Sequence, residues 1–313
     1  MQITPNTVLA ITGPTASGKT ALSLAIATMS GLKAEIISAD SRQIFKGLDI
    51  GTAKPTAQEM AMIPHHCIDI CEPDESFNAG MFAKTAHPII SNMLEQGILP
   101  IIVGGSGLYV QALCEGFFDM PADLEETLQK ARAEVQSLYE EVGKDDLFEI
   151  LKSVDPQSCI DYPDKNPRRI MRALEFHKAT GALFSEEKSK MMLIPTFETL
   201  YVMIEQDRSE LYARINDRCE DIWEGTVRET SLMLARGINE QSQSLDTVGY
   251  AQAIAFLHGE IDEKTAIEQM KQATRNYAKR QLTWSKRVPG LHILKGNTTD
   301  MAHQAIELIG QNA

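Results

Sequence analysis

The segment GPTASGKT, residues 13–20, constrains this chain more than any other feature. It satisfies the phosphate-loop pattern G-x-x-x-x-G-K-[ST] without a mismatch, and its flanks fit as well. Val8, Leu9, Ala10 and Ile11 ahead of it form an unbroken apolar run, the pattern of a buried parallel strand. Residues 21–27 behind it read as a helix. A strand that feeds a glycine-rich turn into a helix N-terminus aims backbone N–H groups at an anion, and the helix dipole adds to the attraction. Gly13 and Gly18 let the backbone wrap a phosphate where a Cβ would clash, and Pro14, Thr15, Ala16 and Ser17 complete the loop. Lys19 adds a full positive charge, and the Thr20 hydroxyl offers a ligand to Mg²⁺. The segment reads as a nucleotide-type site for a di- or triphosphate, against the plainer reading of a tight turn with an incidental lysine.

The 313 residues suffice for one large or two modest domains. No apolar run approaches the ~18 residues of a membrane span. The opening MQITPNTVLAITG has no basic segment ahead of its apolar run, so a cytoplasmic protein without a cleaved leader is expected. The five cysteines (Cys67, Cys71, Cys114, Cys159 and Cys219) are odd in number and form no C-x-x-C pair, which argues against a disulfide framework or a zinc site. His65, His66, Cys67 and Cys71 lie near one another, but the two cysteines read better as small buried apolar residues. The net charge of −13 argues against a nucleic-acid partner until its distribution is examined. Residues 119–149 carry ten acids and three bases, whereas 271–287 carry six bases and no acid. Lys271, Arg275 and Lys279 recur every four residues and would form one helical stripe, either a solvated face or a surface for phosphates.

The first ~115 residues alternate strand and helix, as a parallel sheet with crossover helices does. Strands are expected at 8–12, 35–38, 68–70 and 99–103, with helices at 19–29, about 77–95 and 108–114. Helical periodicity follows at 123–141, 145–154 and 168–180, with Gly181 as a C-cap. A strand at 200–204, long helices at 209–236 and 262–286, a short strand at 291–294 and a helix from Thr298 complete the pattern. The fold class is therefore α/β: a P-loop NTPase-like parallel sheet with flanking helices, residues 1–115 plus 197–313, interrupted by a helical insert at 116–196.

Ligands of open parallel sheets bind at the carboxyl ends of strands. Besides the phosphate loop, two segments end strands there. Asp40 closes EIISAD on the expected neighbour of the first strand, where a carboxylate can bind Mg²⁺ through water, take a proton from a nucleophile, or merely cap a turn. GGSG, residues 104–107, follows a strand; its glycines permit close approach to a ligand and Ser106 offers a hydroxyl, although a plain tight turn would look alike. Gly104 stands where many motor-type ATPases carry an acid, which favours a small-substrate transferase over a motor.

Several longer segments then resemble one family, the tRNA dimethylallyltransferases: DSRQIFKGLDIGTAKP (40–55), PHHCIDI (64–70), GGSGLYV (104–110), RRIMRALE (168–175), Arg218 within its helix, VGY (248–250) and YAKRQLTW (277–284). They cover nearly the full chain in the family's order. The resemblance implies transfer of a dimethylallyl group from dimethylallyl diphosphate to N6 of adenine 37, beside the anticodon, in tRNAs that read codons beginning with U. It implies that residues Gly13–Thr20 hold diphosphate with Mg²⁺, that Asp40 is the general base, and that Ser106 and Arg218 serve the diphosphate. The anticodon stem-loop would meet Asp40, Ser41, Arg42, Gln43, Arg168, Arg169, Ile170, Met171, Arg172, Lys279 and Arg280. A monomer without membrane attachment is expected.

The chain departs from the family at Ser106 for threonine, Phe45 for tyrosine, Lys165–Asn166 for Asn–Asp and Arg168 for glutamine. The cysteines of the eukaryotic relatives' C-terminal zinc finger are missing, so a bacterial-type enzyme is expected. The rival readings are an adenylate isopentenyltransferase acting on free AMP, ADP or ATP, a P-loop small-molecule kinase, and a GTPase-like RNA-binding module. The helical insert and the basic block favour tRNA over a free nucleotide, and the third rival lacks an N-K-x-D-type motif.

Overall fold

The first strand, β1 (Thr7–Thr12), is buried along its whole length. Val8 and Ala10 pack into one apolar layer, Leu9 and Ile11 into the other. A strand covered on both faces needs apolar side chains at every position, which is why the run is continuous rather than alternating. The computed structural model describes residues 6–118 and 124–311, and the chain divides into two units. One comprises residues through Glu115 and from Pro195 onward; the other is Gly116–Ile194.

The first unit continues through α1 (Lys19–Met29), β2 (Ala34–Ser38), α2 (Ala57–Met62), β3 (His65–His66), α3 (Ala79–Glu95), β4 (Leu99–Val103) and α4 (Gly107–Glu115). The second unit holds β5 (Phe117–Phe118), α5 (Glu125–Val154), α6 (Pro156–Asp161), α7 (Pro167–Thr180), α8 (Phe184–Lys190) and β6 (Met192–Leu193). The chain then returns with β7 (Glu198–Ile204), α9 (Arg208–Ala235), α10 (Tyr250–Leu257), α11 (Glu263–Ser285), β8 (His292–Leu294) and α12 (Thr298–Gln311).

Six strands form one parallel sheet in the order β3-β2-β4-β1-β7-β8. Side chains of α3 and α4 cover the face that carries Val8, and those of α1 and α12 cover the face that carries Leu9. Helices α9, α10 and α11 pack around Trp223, Ala253 and Met270 in a further apolar cluster.

Three local expectations are corrected. The strand expected at 68–70 is displaced to His65–His66, because Cys67 and Asp69 take left-handed φ values of 63° and 55° that turn the chain out of extension. β4 lies between β1 and β2, so the Asp40 strand is not the direct neighbour of the phosphate-loop strand. The helix α10 has no counterpart among the expected elements; its eight residues follow Gly249, whose φ of 95° starts it.

The second unit has its own core around Phe176, Leu147 and Ile170. Gly143, at φ 76°, breaks α5 between the two helical segments read from the sequence. Asp119 and Asp123 of the acidic stretch lie outside the described residues. Asp155 is 1% exposed and receives hydrogen bonds from the backbone and hydroxyl groups of both Ser158 and Ser185. Burial alone would raise its carboxyl, but the donors of Ser185 and Ser158 outweigh that and hold it below its ordinary value. A depressed carboxyl stabilises the fold at pH values above the ordinary carboxylate range, and the contribution is lost as pH falls through the depressed value. Replacing Asp155 with alanine is expected to cost about 3 kcal/mol or more, because four donors lose their acceptor. Hydrogen exchange at the Ser158 and Ser185 amides should accelerate; unchanged exchange would refute the role.

Candidate active site

The phosphate loop leaves β1 through Gly13, at φ 127°, and enters α1 through Gly18, at φ 90°. Ala16 takes φ 59°, a conformation that costs energy in a residue with a Cβ and shapes the loop as a concave cradle. No side chain caps α1, so its first-turn N–H groups are left for a ligand. The Ser17 hydroxyl is buried without a hydrogen-bond partner among the described residues. An orphan donor at the base of a cradle of N–H groups fits a phosphate oxygen.

Three side chains from outside the loop fix its shape. Gln281 of α11 accepts the Thr15 N–H at 2.9 Å. Arg214 of α9 donates Nε–H to the Ala16 carbonyl at 3.1 Å. Gln206 donates to the Ser17 carbonyl at 3.2 Å. Gln281 lies in the segment YAKRQLTW, but nothing in a sequence pairs a glutamine with a backbone amide 266 positions away.

Lys19 donates to the Gly13 and Pro14 carbonyls at 3.0 and 2.6 Å. Burial lowers it to about 8, with Asp40 opposing the shift and Arg218 adding to it. Lys19, Asp40 and Arg218 thus belong to one electrostatic cluster. All three line a chamber of about 340 Å³ over the loop, together with Thr20. An adjoining chamber of about 430 Å³ shares Thr15, Ala16, Asp40, Thr52 and Arg218 with the first. On α9, Ile215, Arg218, Cys219 and Ile222 face it at helical spacing, and α11 contributes Met270, Thr274 and Tyr277. The smaller chamber lies over the loop and Lys19, the larger has Ile215, Ile222, Val248 and Met270 in one wall, and Asp40 and Arg218 border both.

Asp40 accepts the Arg42 N–H through Oδ1 at 2.8 Å, the turn cap considered from sequence. Its Oδ2 takes no hydrogen bond among the described residues, which leaves one oxygen for a substrate proton. Capping and chemistry are therefore compatible in one side chain. Asp40 reaches past the end of β4 because Gly104 follows that strand: a Cβ there would lie 2.1 Å from the Ala39 carbonyl oxygen. At Gly105 a Cβ would lie 2.0 Å from Gln281 Nε2, and at Gly107 it would enter the Trp284 ring. The packing of neighbouring protein segments by itself demands glycine at these positions, and Gly104 also borders the chamber over the loop.

Ser106 is 8% exposed; its Oγ accepts the Ser41 N–H at 2.9 Å and donates to Ser41 Oγ at 3.1 Å. It lines neither of the two chambers and reaches the larger one through Ser41, which lines it. Arg42 lines the larger chamber and donates to the Gln243 carbonyl. Gln43 lines the smaller one; its amide accepts from Ser38 Oγ and donates to the Ala53 carbonyl at 3.1 Å.

The basic stripe is interrupted. Lys271 is buried between Glu220 and Glu268 at 2.6 and 2.7 Å, so its charge is spent inside the protein. Arg275 bonds to Asn216 and Gln272. Lys279 and Arg280 are exposed, and they share a groove with Trp284 and Arg287. In the second unit, Arg168 and Arg169 are exposed on α7 and Met171 is half-buried. Arg172 is half-buried and lies 3.9 Å from Glu175. Ile170 is fully buried in that unit's core, so its side chain anchors the helix and cannot meet RNA without unfolding it. Asn166, one of the departures, caps α7 by accepting the Arg168 N–H. Phe45, another, is fully buried and needs no hydroxyl partner.

Among the described residues no cluster of three or more His, Cys, Asp or Glu side chains is arranged around a common point. Burial pushes the Cys67 thiol up to about 12 and the Cys71 thiol up to about 11, as in cysteines that pack as apolar residues. Also among the described residues, no helix is long and apolar enough to cross a membrane.

The family described as IPP transferase matches residues 43–288. A tRNA dimethylallyltransferase of Staphylococcus carnosus is 40% identical over 283 residues, which cover 89% of this chain and 88% of that protein. One from Geobacillus thermodenitrificans is 42% identical over 280 residues, with 88% and 86% covered. Among solved structures, a tRNA delta(2)-isopentenylpyrophosphate transferase of Staphylococcus epidermidis aligns with TM-score 0.70 at 36% identity, covering 98% of this chain and 100% of that one. A eukaryotic dimethylallyltransferase described as acting on tRNA aligns with TM-score 0.80 at 26% identity, covering 98% and 80%.

Proposed function

This chain belongs to the IPP transferase family and is a tRNA prenyltransferase; on that premise we propose how its residues divide the reaction. The donor is dimethylallyl diphosphate and the acceptor is N6 of adenine 37 in the anticodon stem-loop of tRNAs reading codons that begin with U. The supporting observation is that Asp40 and Arg218 border both an anion cradle and an adjoining chamber with apolar walls. The diphosphate occupies the cradle, and the allyl group and the extruded adenine meet in the larger chamber. N6 forms a bond to the allylic carbon as the carbon–oxygen bond breaks. The electron pair leaves with the diphosphate, and the N6 proton passes to Asp40 Oδ2.

Lys19, Arg218, the loop N–H groups and the Ser17 hydroxyl neutralise charge growing on the departing diphosphate. Holding N6 in line with the allylic carbon supplies much of the remaining acceleration. Thr20 lines the same chamber and offers a hard oxygen donor, which suits Mg²⁺ beside a diphosphate. Bound there, Mg²⁺ supplies further charge neutralisation on the diphosphate. Ser41, Arg42, Gln43, Arg168, Arg169, Arg172, Lys279 and Arg280 serve the RNA, with residues 116–194 as the RNA-contacting insert. The enzyme works as a cytoplasmic monomer.

Incubation with labelled donor and either unmodified tRNA or AMP tests the acceptor. Label in tRNA, at N6 of adenine 37, is expected; label in AMP with bare tRNA would overturn the reading in favour of a free-nucleotide enzyme. Reversing the charges of Lys279 and Arg280 should weaken tRNA binding and reduce the slope of log affinity against log salt by about one for each phosphate that is no longer neutralised. A slope equal to that of the wild type would make this helix an ordinary solvated face.

A further inference from the structure

The larger chamber has one wall that neither the reacting groups nor the phosphate loop explains. Gly51 and Thr52 form part of it, and Tyr250 of α10 stands beside them. Behind that wall lies Glu229 of α9, 8% exposed. Its Oε1 accepts the N–H groups of Asp49 and Ile50 at 2.9 and 2.6 Å. Its Oε2 accepts the Gly51 N–H at 3.1 Å and the Tyr250 hydroxyl at 2.7 Å. Four donors from two separate segments converge on one buried carboxylate. Such a group is acceptor-only and has no proton or lone pair to spare for chemistry.

The fit is close as well as polar. A Cβ at Gly51 would lie 2.6 Å from the Tyr250 ring, and one at Gly225 would lie 2.5 Å from Ile50. Burial, followed by the charge of Glu229, raises the Tyr250 phenol, so its proton stays in place as a donor. From the opposite side, Gln43 donates to the Ala53 carbonyl, and Lys54, almost fully buried, bonds to the Phe45 carbonyl and to Asp49 and Asp69. Glu229 follows Arg218 by eleven residues, about three helical turns, and so projects from the same side of α9. One helix thereby carries both an arginine that borders the reacting groups and the anchor of the facing wall.

We infer that Glu229 and Tyr250 form a brace that fixes the 49–54 wall of the chamber Asp40 also lines, making Glu229 a positioning residue for the acceptor base. The inference rests on the reading that the larger chamber receives that base. Gly51, Tyr250 and Glu229 line or back the larger chamber alone, whereas Thr52 and Ala53, further along the wall, also border the phosphate chamber. Glu229 holds the amides of Asp49, Ile50 and Gly51, so the brace acts chiefly on use of the acceptor.

The test compares wild type, Glu229→Gln and Tyr250→Phe. Glutamine preserves size but, with its NH₂ at the Oε2 position, faces the Gly51 N–H donor to donor and reverses the bond with the Tyr250 hydroxyl. For Glu229→Gln, kcat/KM for tRNA is expected to fall roughly 10–100-fold, the scale of a misplaced near-attack geometry. Affinity for inorganic diphosphate should stay within about twofold, and the shape of the pH–rate profile should not change, since no titrating group of the reaction is removed. Tyr250→Phe, which removes one hydrogen bond, should lower kcat/KM by about threefold to tenfold. Wild-type kcat/KM in Glu229→Gln, or an equal loss of diphosphate affinity, would overturn the brace. If Glu229→Gln does not fold, Tyr250→Phe decides, and wild-type kcat/KM in that variant overturns it. Failure of the wild type itself to prenylate tRNA would instead remove the underlying reading.

Discussion

Replacing Asp40 with asparagine should lower turnover about 10²–10⁴-fold, the usual scale for loss of a general base. Asparagine is the informative choice because Oδ1 already caps the Arg42 amide. An asparagine oxygen keeps that cap and with it the turn that carries Ser41 and Arg42 into the chamber. What is lost is the capacity of the second oxygen to take a proton from N6. Affinity for tRNA should change little. Alanine removes cap and base together, so a tRNA-affinity loss confined to Asp40→Ala would be assigned to the turn. A tRNA-affinity loss as large as the turnover loss in Asp40→Asn would refute the base role.

Lys19→Met should weaken inorganic diphosphate binding roughly 10–100-fold, the scale of a charge-assisted hydrogen bond removed from a protected site. The wild type carries a further signature. Burial lowers Lys19 to about 8, with Asp40 resisting and Arg218 assisting, so the free enzyme loses this charge at alkaline pH. The diphosphate prefers the protonated amine, so affinity should fall as pH rises above about 8, by up to about tenfold per unit. In Lys19→Met that part of the dependence should vanish, leaving the ligand's own ionisation. Equal pH dependence in the two proteins would show that Lys19 does not hold the anion. The hydrogen bonds of Lys19 to the Gly13 and Pro14 carbonyls occupy two of its three N–H donors and leave the third for the anion.

Much of the first unit could be read without coordinates because its local rules agree with one another. β1, the loop and α1 coincide with their expected limits to within a residue, since an apolar run, two glycines and a helical repeat all point the same way. Gly181, at φ 73°, ends its helix as a C-cap, and Gly143, at φ 76°, falls between two segments of helical periodicity. The misreadings were of another kind. Strand adjacency failed at β4, because a crossover inserts it between β1 and β2 and no local pattern records insertion order. The Lys271 stripe is interrupted because Glu220, on a different helix 51 residues earlier, joins the local Glu268 in neutralising Lys271. The GGSG glycines have a reason that no local pattern carries, since the atoms a Cβ there would strike belong to Ala39, Gln281 and Trp284.

The sequence by itself determined the glycine turn from β1 into α1, the doubly covered parallel sheet, the helical unit between its halves and the resemblance that names the reaction. Each depends on residues close together in the chain, where sterics, periodicity and backbone freedom leave few choices. Only the tertiary structure decided that Asp40 and Arg218 border two chambers at once, that Ser106 works from behind Ser41, and that Gln281 and Glu229 hold the loop and the wall. Those assignments join segments up to 266 positions apart. A hydrogen bond acts over about 3 Å of space whatever the length of chain between its partners, so separation along the sequence carries no trace of it.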